Sequence, residues 1–149
     1  MRRAVHIQPK GRWPVEFEIG TVTLGFEDRH RRRIRMIMDQ GEDFLLDLAH
    51  AHHLAEGDGL ELEAGGGFVR VIAAPEDVAD IACERPEELG RIAWHVGNRH
   101  FPVEFLPGGG MRIPADHVMI AMLQGLGAKV TRRSAPFQPE PGAYHHDHD

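Results

Sequence analysis

The feature that most constrains the fold is a change of pattern close to residue 75. Before it, short runs of branched and large apolar residues are separated by turn residues, as in Gly57-Asp58-Gly59 and Gly65-Gly66-Gly67. Runs of this length and spacing are typical of β-strands in a small barrel or sandwich. The strands predicted in this part are residues 19–24, 34–38, 44–48, 60–62 and 68–73.

After residue 75 the pattern alternates between strands and helices. A helix is predicted from Pro86, because proline suits the first helical position and apolar residues recur at helical spacing up to Val96. We expect Gly97-Asn98 to end this helix, since both residues tolerate the left-handed conformation of a helix cap. Asp116 is the expected N-cap of a second helix, which ends before Gly127. The predicted strands are residues 78–83, 100–105, 111–113 and 129–133.

The order β-α-β-β-α-β is that of a ferredoxin-like domain. The sequence therefore predicts an α+β protein with a β-rich N-terminal domain at residues 1–74 and a ferredoxin-like domain at residues 75–134. Residues 135–149 are rich in proline and end in histidines and aspartates, so we expect a mobile tail.

Charge and apolar content exclude two classes of partner. The formal net charge of −6 argues against nucleic acid. No apolar run approaches the ~20 residues that cross a bilayer, and no apolar stretch follows the N-terminal arginines. The single cysteine, Cys83, cannot form an internal disulfide, so we expect a cytoplasmic protein.

Histidine is the residue type that points to function, with 11 copies in 149 residues. Imidazole is the commonest metal ligand among side chains. Three histidines and two aspartates fall in the last six residues, and short tracts of this kind are a compositional signal of metal binding. The candidate ligands of this tail are His145, His146 and His148. A solvated terminus without a ligand is the alternative.

His100 lies at the predicted junction of a helix and a strand. A lone histidine there is more often structural, because a tight metal site needs about four ligands. In a twofold dimer, however, each subunit could donate one His100 nitrogen to a shared ion, and tail histidines could complete the shell.

The other histidines give weaker signals. His117, in the first turn of the second helix, is either a peripheral ligand or an exposed polar residue. His50 and His52 would face one side of an extended segment beside His53 and could chelate, although loop histidines without metal are equally compatible with the pattern.

Catalytic motifs are absent from the sequence. There is no Gly-x-Ser-x-Gly elbow, His-Glu-x-x-His zinc motif or phosphate-binding loop. Cys83 has no histidine beside it in sequence, and we expect a buried, unreactive thiol. The chain is therefore not expected to be an enzyme.

Several segments resemble the UreE family of urease accessory proteins, in order along nearly the whole chain. They are Leu24-Gly25-Phe26-Glu27-Asp28-Arg29, Gly97-Asn98-Arg99-His100, Asp116-His117-Val118 and Ala135-Pro136-Phe137-Gln138-Pro139-Glu140. The resemblance implies a homodimer that carries Ni²⁺ to urease and passes it on through the GTPase accessory protein. It also implies an N-terminal domain that docks partners, with His100 as bridging ligand, the tail histidines as auxiliary ligands and His117 as a secondary site.

Two departures from the family pattern narrow these expectations. The tail holds three histidines rather than a long run, which argues against bulk nickel storage. Ala115 offers no nitrogen two residues before His117, where some relatives carry a second histidine.

Nitrogen ligands bind Cu²⁺ more strongly than Ni²⁺ and often bind Zn²⁺ comparably. A general zinc or copper buffer and a metal-free interaction module are therefore alternatives.

Overall fold

A computed structural model describes residues 1–141, which divide into two compact units at Ala74 and Pro75. No helix within these residues is long and apolar enough to cross a membrane.

The first unit is one mixed sheet of six strands in the order β2-β6-β5-β1-β4-β3. The strands are β1 Arg3–Gln8, β2 Glu18–Leu24, β3 His30–Ile37, β4 Asp43–His53, β5 Gly59–Leu62 and β6 Phe68–Ala73. Burial alternates along β4, where Phe44, Leu46 and Leu48 face the core and Asp47 faces outward. This period of two is what buries one face of a strand and leaves the other in water.

The sheet is curled into a half-barrel. Thr21 in the edge strand β2 accepts a hydrogen bond on its carbonyl from the backbone N–H of Asp39, just beyond the opposite edge strand β3, at 2.8 Å. The Asp39 carboxylate also accepts from the hydroxyls of Thr21 and Thr23, each at 2.7 Å. These contacts bring the two edges of the sheet together.

The second unit has the strand order β10-β7-β9-β8, all antiparallel, which is the ferredoxin-like arrangement. Its elements are β7 Pro75–Ala82, α1 Pro86–Asn98, β8 Glu104–Phe105, β9 Met111–Pro114, α2 His117–Gly125 and β10 Lys129–Pro136. The core lies between one face of the sheet and the two helices, with Ile81, Ile113, Ile92, Val96 and Leu123 buried in it. The predicted α+β fold class is confirmed.

Several element boundaries differ from the predictions. β1 was not predicted, because only Ala4 of its side chains is buried and its place in the sheet comes from pairing with β4 and β5. The strand predicted at residues 100–105 is reduced to Glu104–Phe105. Gly97 and Asn98 remain helical, so the left-handed cap predicted there is wrong.

Candidate metal centre

The residue that takes the left-handed conformation at the end of α1 is His100, with φ of 56°. Its backbone N–H donates to the Gly97 carbonyl at 2.9 Å, and the Phe101 N–H donates to the Val96 carbonyl at 3.2 Å. These two bonds define a Schellman motif, which satisfies carbonyls that the helix leaves unpaired. Phe101 completes the motif by packing into the same core as Val96.

Histidine is an unfavourable choice at this position. The left-handed conformation costs a residue with a Cβ roughly 1–2 kcal/mol, and glycine usually fills the corresponding site. Ala64 is the only other residue besides glycine with a positive φ in residues 1–141. The His100 side chain is exposed, so packing does not compensate for the backbone cost. The imidazole is therefore displayed to solvent at some expense in stability, as is common for functional residues.

Side chains near the end of α1 contact one another along the helix. Arg99 folds back along the helix, where its Nη1 donates to the His95 carbonyl at 3.1 Å. The rings of Trp94 and His95 meet edge to face at 5.0 Å. Trp94 is nevertheless 62% exposed, which is unusual for the largest apolar side chain.

The other predicted ligands are not brought together with His100 in the described residues. His117 is exposed at the first position of α2, where Asp116 caps the helix by accepting from the Met119 N–H at 2.8 Å. Residues 1–141 contain no group of three or more His, Cys, Asp or Glu side chains arranged to hold a metal ion. His145, His146 and His148 lie outside the described residues.

Three histidines of the first unit line a groove, and the described residues form no metal cluster there. β4 is extended to its last residue, which is the condition under which His50 and His52 were expected to face one side. Both of these side chains are exposed. His6, His52 and His53 line a groove between β1 and β4 together with Asp58. Burial is the main cause that raises the pKa of Asp58. A metal role for this group is not supported by its arrangement.

Cys83 gives no sign of reactivity. The thiol follows β7 and is half-buried. Burial raises its pKa, and the negative charge of Glu88 adds to the effect. Both influences disfavour the thiolate, which is the nucleophilic and metal-binding form.

The chain beyond β10 was expected to be a tail, but its first part is held against the sheet. Phe137 and Pro139 are buried, whereas Pro136 and Glu140 are exposed. The Gln138 N–H donates to the Glu104 carboxylate at 3.0 Å, and the Glu140 N–H donates to the Val103 carbonyl at 2.8 Å. The alternation of apolar residues from Ala135 to Pro139 is the sequence signal that could have revealed this segment.

Both halves of the chain match known family models. The model described as the UreE urease accessory protein N-terminal domain matches residues 3–74, and that of the C-terminal domain matches residues 76–149.

The chain is also similar to curated relatives over most of its length. The urease accessory protein UreE of Rhodopseudomonas palustris (strain BisB18) is 49% identical, over 99% of this chain and 72% of the relative. That of Beijerinckia indica subsp. indica is 45% identical, over 99% and 87%. The Pseudomonas putida (strain W619) protein is 46% identical, over 84% and 77%.

Proposed function

This chain belongs to the UreE family of urease accessory proteins, and we propose that it carries Ni²⁺ between two subunits and delivers it for assembly of the urease nickel site. We place it in the cytoplasm and assign it no catalytic step. The observation that carries the proposal is His100, an exposed imidazole kept in a backbone conformation that favours glycine.

A second copy of the chain is needed because one imidazole binds a metal ion weakly. Pairing two His100 side chains about a twofold axis doubles the nitrogen count at no cost in new residues. Exposed apolar side chains on the helical layer support such a contact, since Trp94 is 62% and Val118 is 66% exposed. Burying them against a partner would contribute to association through the hydrophobic effect.

The tail histidines are proposed as auxiliary ligands, and the chain geometry permits this role. Glu140 lies within hydrogen-bond distance of Val103, which is three residues after His100. His145 lies five positions after Glu140, and an extended chain of that length reaches about 17 Å. Val103 lies three positions after His100, and this stretch spans at most about 10 Å. His145, His146 and His148 are thus within reach of the ion, whereas His117 is at most a weaker secondary site.

Ni²⁺ as cargo follows from the family rather than from the donor set. Imidazole ligands accept Zn²⁺ and Cu²⁺ as well, so both ions should compete in vitro. We also propose that residues 1–74 dock partners, among them the GTPase accessory protein of urease maturation. This unit is compact and has its own core, which suits a separate task.

The test is equilibrium dialysis against Ni²⁺ of the wild type, His100→Ala and a chain that ends at Ala143. The proposal expects His100→Ala to lose about one metal ion per dimer, and the shortened chain to retain that ion with lower affinity. His6→Ala, which removes an exposed imidazole from the other unit, is the matched control. A monomer that binds Ni²⁺ at full strength would refute the shared site.

The two alternatives differ in other results. If the protein is an interaction module whose histidines have no metal role, His100→Ala should take up as much metal as the wild type. A general zinc or copper buffer would bind metal through His100 but would not activate apo-urease in the presence of the GTPase accessory protein. Failure of wild-type protein in that activation assay would therefore favour the buffer.

A further inference from the structure

The segment of residues 137–140, here the crossing segment, runs across the sheet of the second unit. It leaves β10 at one edge of the sheet and ends beside β8 at the other edge. It covers the face opposite the helices, because Arg112, which contacts its start, alternates with the core residues Met111 and Ile113.

Three hydrogen bonds hold the crossing segment and the residue before it in order across the strands. Just before the segment begins, the Nη1 of Arg112 in β9 donates to the carbonyl of Pro136, the last residue of β10, at 3.1 Å. The Glu104 carboxylate of β8 then accepts from the Gln138 N–H at 3.0 Å. Finally, the Glu140 N–H donates to the Val103 carbonyl at 2.8 Å.

The residues that hold this path are themselves held in place by burial and by paired hydrogen bonds. Phe137 is only 1% exposed, so its ring is anchored by burial. Arg112 is held by both carboxylate oxygens of Asp80, at 2.7 and 3.1 Å, and this paired geometry is stronger than a single contact. The side chains of Arg112 and Asp80 are also largely shielded from water.

The path determines where the histidine-bearing end of the chain begins. A chain that left the unit directly from β10 would start three strand spacings away from β8, which is about 14 Å. The crossing segment removes that distance and sets Glu140 beside Val103, close in sequence to His100. It also leaves His145 only five positions from this anchor, compared with nine from Pro136.

We infer that Phe137 and Glu104 are positioning residues for the nickel site, because they anchor the root of the tail beside His100. This inference rests on the proposed function, in which the tail histidines are auxiliary ligands. A ligand on a short, well-placed tether has a high effective concentration, and this concentration falls when the tether lengthens or its origin moves away. Neither residue contacts the ion itself.

A cycle of variants tests the inference by calorimetric titration with Ni²⁺. Glu104→Ala and Phe137→Ala are each made in the full chain and in the chain that ends at Ala143. In the full chain we expect the affinity to fall about fivefold for each variant. In the shortened chain we expect a change of less than about twofold, because no tail ligand is left to position.

A control of the same kind is Asp77→Ala, which removes an exposed carboxylate from the same sheet. This carboxylate pairs with Arg132 at 2.7 Å and not with the crossing segment. It should leave affinity unchanged in both lengths. Glu104→Ala leaves the apolar core intact, so it remains informative if Phe137→Ala fails to fold.

Equal losses in the full and shortened chains would overturn the inference, since a merely structural role predicts them. No loss in the full chain would overturn it as well. If the wild type itself binds Ni²⁺ equally at both lengths, the auxiliary role of the tail in the proposed function fails too, and that result is recognised before any variant is compared.

Discussion

The two helices of the second unit end in the same way but with different residues. At the end of α2, the Gly127 N–H donates to the Gln124 carbonyl and the Ala128 N–H to the Leu123 carbonyl, both at 3.0 Å. Gly127 has φ of 95°. Residue for residue this is the Schellman motif of α1, with Gly127 in the place of His100. One cap uses the residue that stability favours, and the other uses an exposed histidine.

The comparison separates the requirements of folding from those of function. Both caps satisfy helix carbonyls and direct the next apolar residue, Phe101 or Ala128, into one shared core. Folding alone therefore explains the hydrogen bonds of both motifs. It does not explain histidine at position 100, and the predictions below test whether metal binding does.

The largest effect is expected from His100→Gly. Loss of outer-shell partners already costs 10–100-fold in metal affinity, so loss of a ligand should weaken Ni²⁺ binding by about 100-fold or more. The same change should raise the free energy of unfolding by about 1 kcal/mol, because glycine adopts the left-handed conformation without strain. Titration calorimetry and urea denaturation measure the two quantities on the same sample.

The decisive result of this experiment is that Ni²⁺ affinity falls while the free energy of unfolding rises. His100→Ala serves as the control, since it should lose the metal without the gain in stability. If glycine lowers the unfolding free energy instead, the strain assigned to His100 is not present.

The next largest effect is expected from acid, which should release the metal before it weakens the fold. Imidazole must lose its proton to coordinate, so Ni²⁺ affinity should fall at least about tenfold between pH 7 and pH 5.5. The ion pair of Asp80 and Arg112 in the same unit should not respond in this range. The hydrogen bond from Arg112 lowers the pKa of Asp80, so the stability it contributes is present above the unfolded value and is lost only as pH falls through the lower folded value.

Calorimetry and urea denaturation at matched pH values check this separation. Asp80→Asn should remove part of the loss of stability below pH ~4 without changing the pH at which metal is released. Loss of metal and fold at the same pH would argue against release through histidine protonation.

Moving the histidine to the other cap gives an effect of about 1 kcal/mol. Gly127→His should lower the unfolding free energy by that amount through backbone strain alone, because no heavy atom beyond the adjacent residues lies within 4 Å of the position a Cβ would take. The double exchange His100→Gly with Gly127→His should return stability to near the wild-type value but should not restore the bound ion. A double variant that binds Ni²⁺ like the wild type would show that His100 has no special place.

The smallest effect is expected at the start of α2. His117→Ala should weaken Ni²⁺ binding by less than about threefold, because the side chain is exposed and belongs to no group of three or more potential ligands in residues 1–141. Dialysis at stepwise Ni²⁺ concentrations would detect any separate weak site. A loss as large as that of His100→Gly would move the metal centre toward α2.

Apart from β1, the sequence predicted the main strands and helices of both units, but it did not predict the conformation that matters most for the candidate site. Pro86, Asp116 and Gly127 marked helix ends because their preferences are local. The α1 cap was assigned to Gly97-Asn98 for the same local reason. Its true position depends on Phe101 entering the core five residues after Val96, and that contact is tertiary.

The crossing segment was missed for a similar reason. Proline and polar residues beyond Ala135 indicated a free tail, and the partners that hold this part of the chain, Glu104 and Val103, lie more than thirty residues earlier. Contacts with residues that far away leave little local sign in the sequence beyond the apolar alternation from Ala135 to Pro139. The sequence alone identifies the candidate histidines. The twofold dimer that would bring two His100 side chains together is a proposal.

The seam between Thr21, Thr23 and Asp39 has a consequence for how this protein behaves when it is abundant. Open sheet borders invite strands from other molecules and can nucleate fibres. Here one border is occupied by the Asp39 hydrogen bonds, and the other, β3, carries four arginines, which are charged side chains of the kind that disfavour edge-to-edge pairing. The protein should therefore tolerate high concentrations with little aggregation through this sheet.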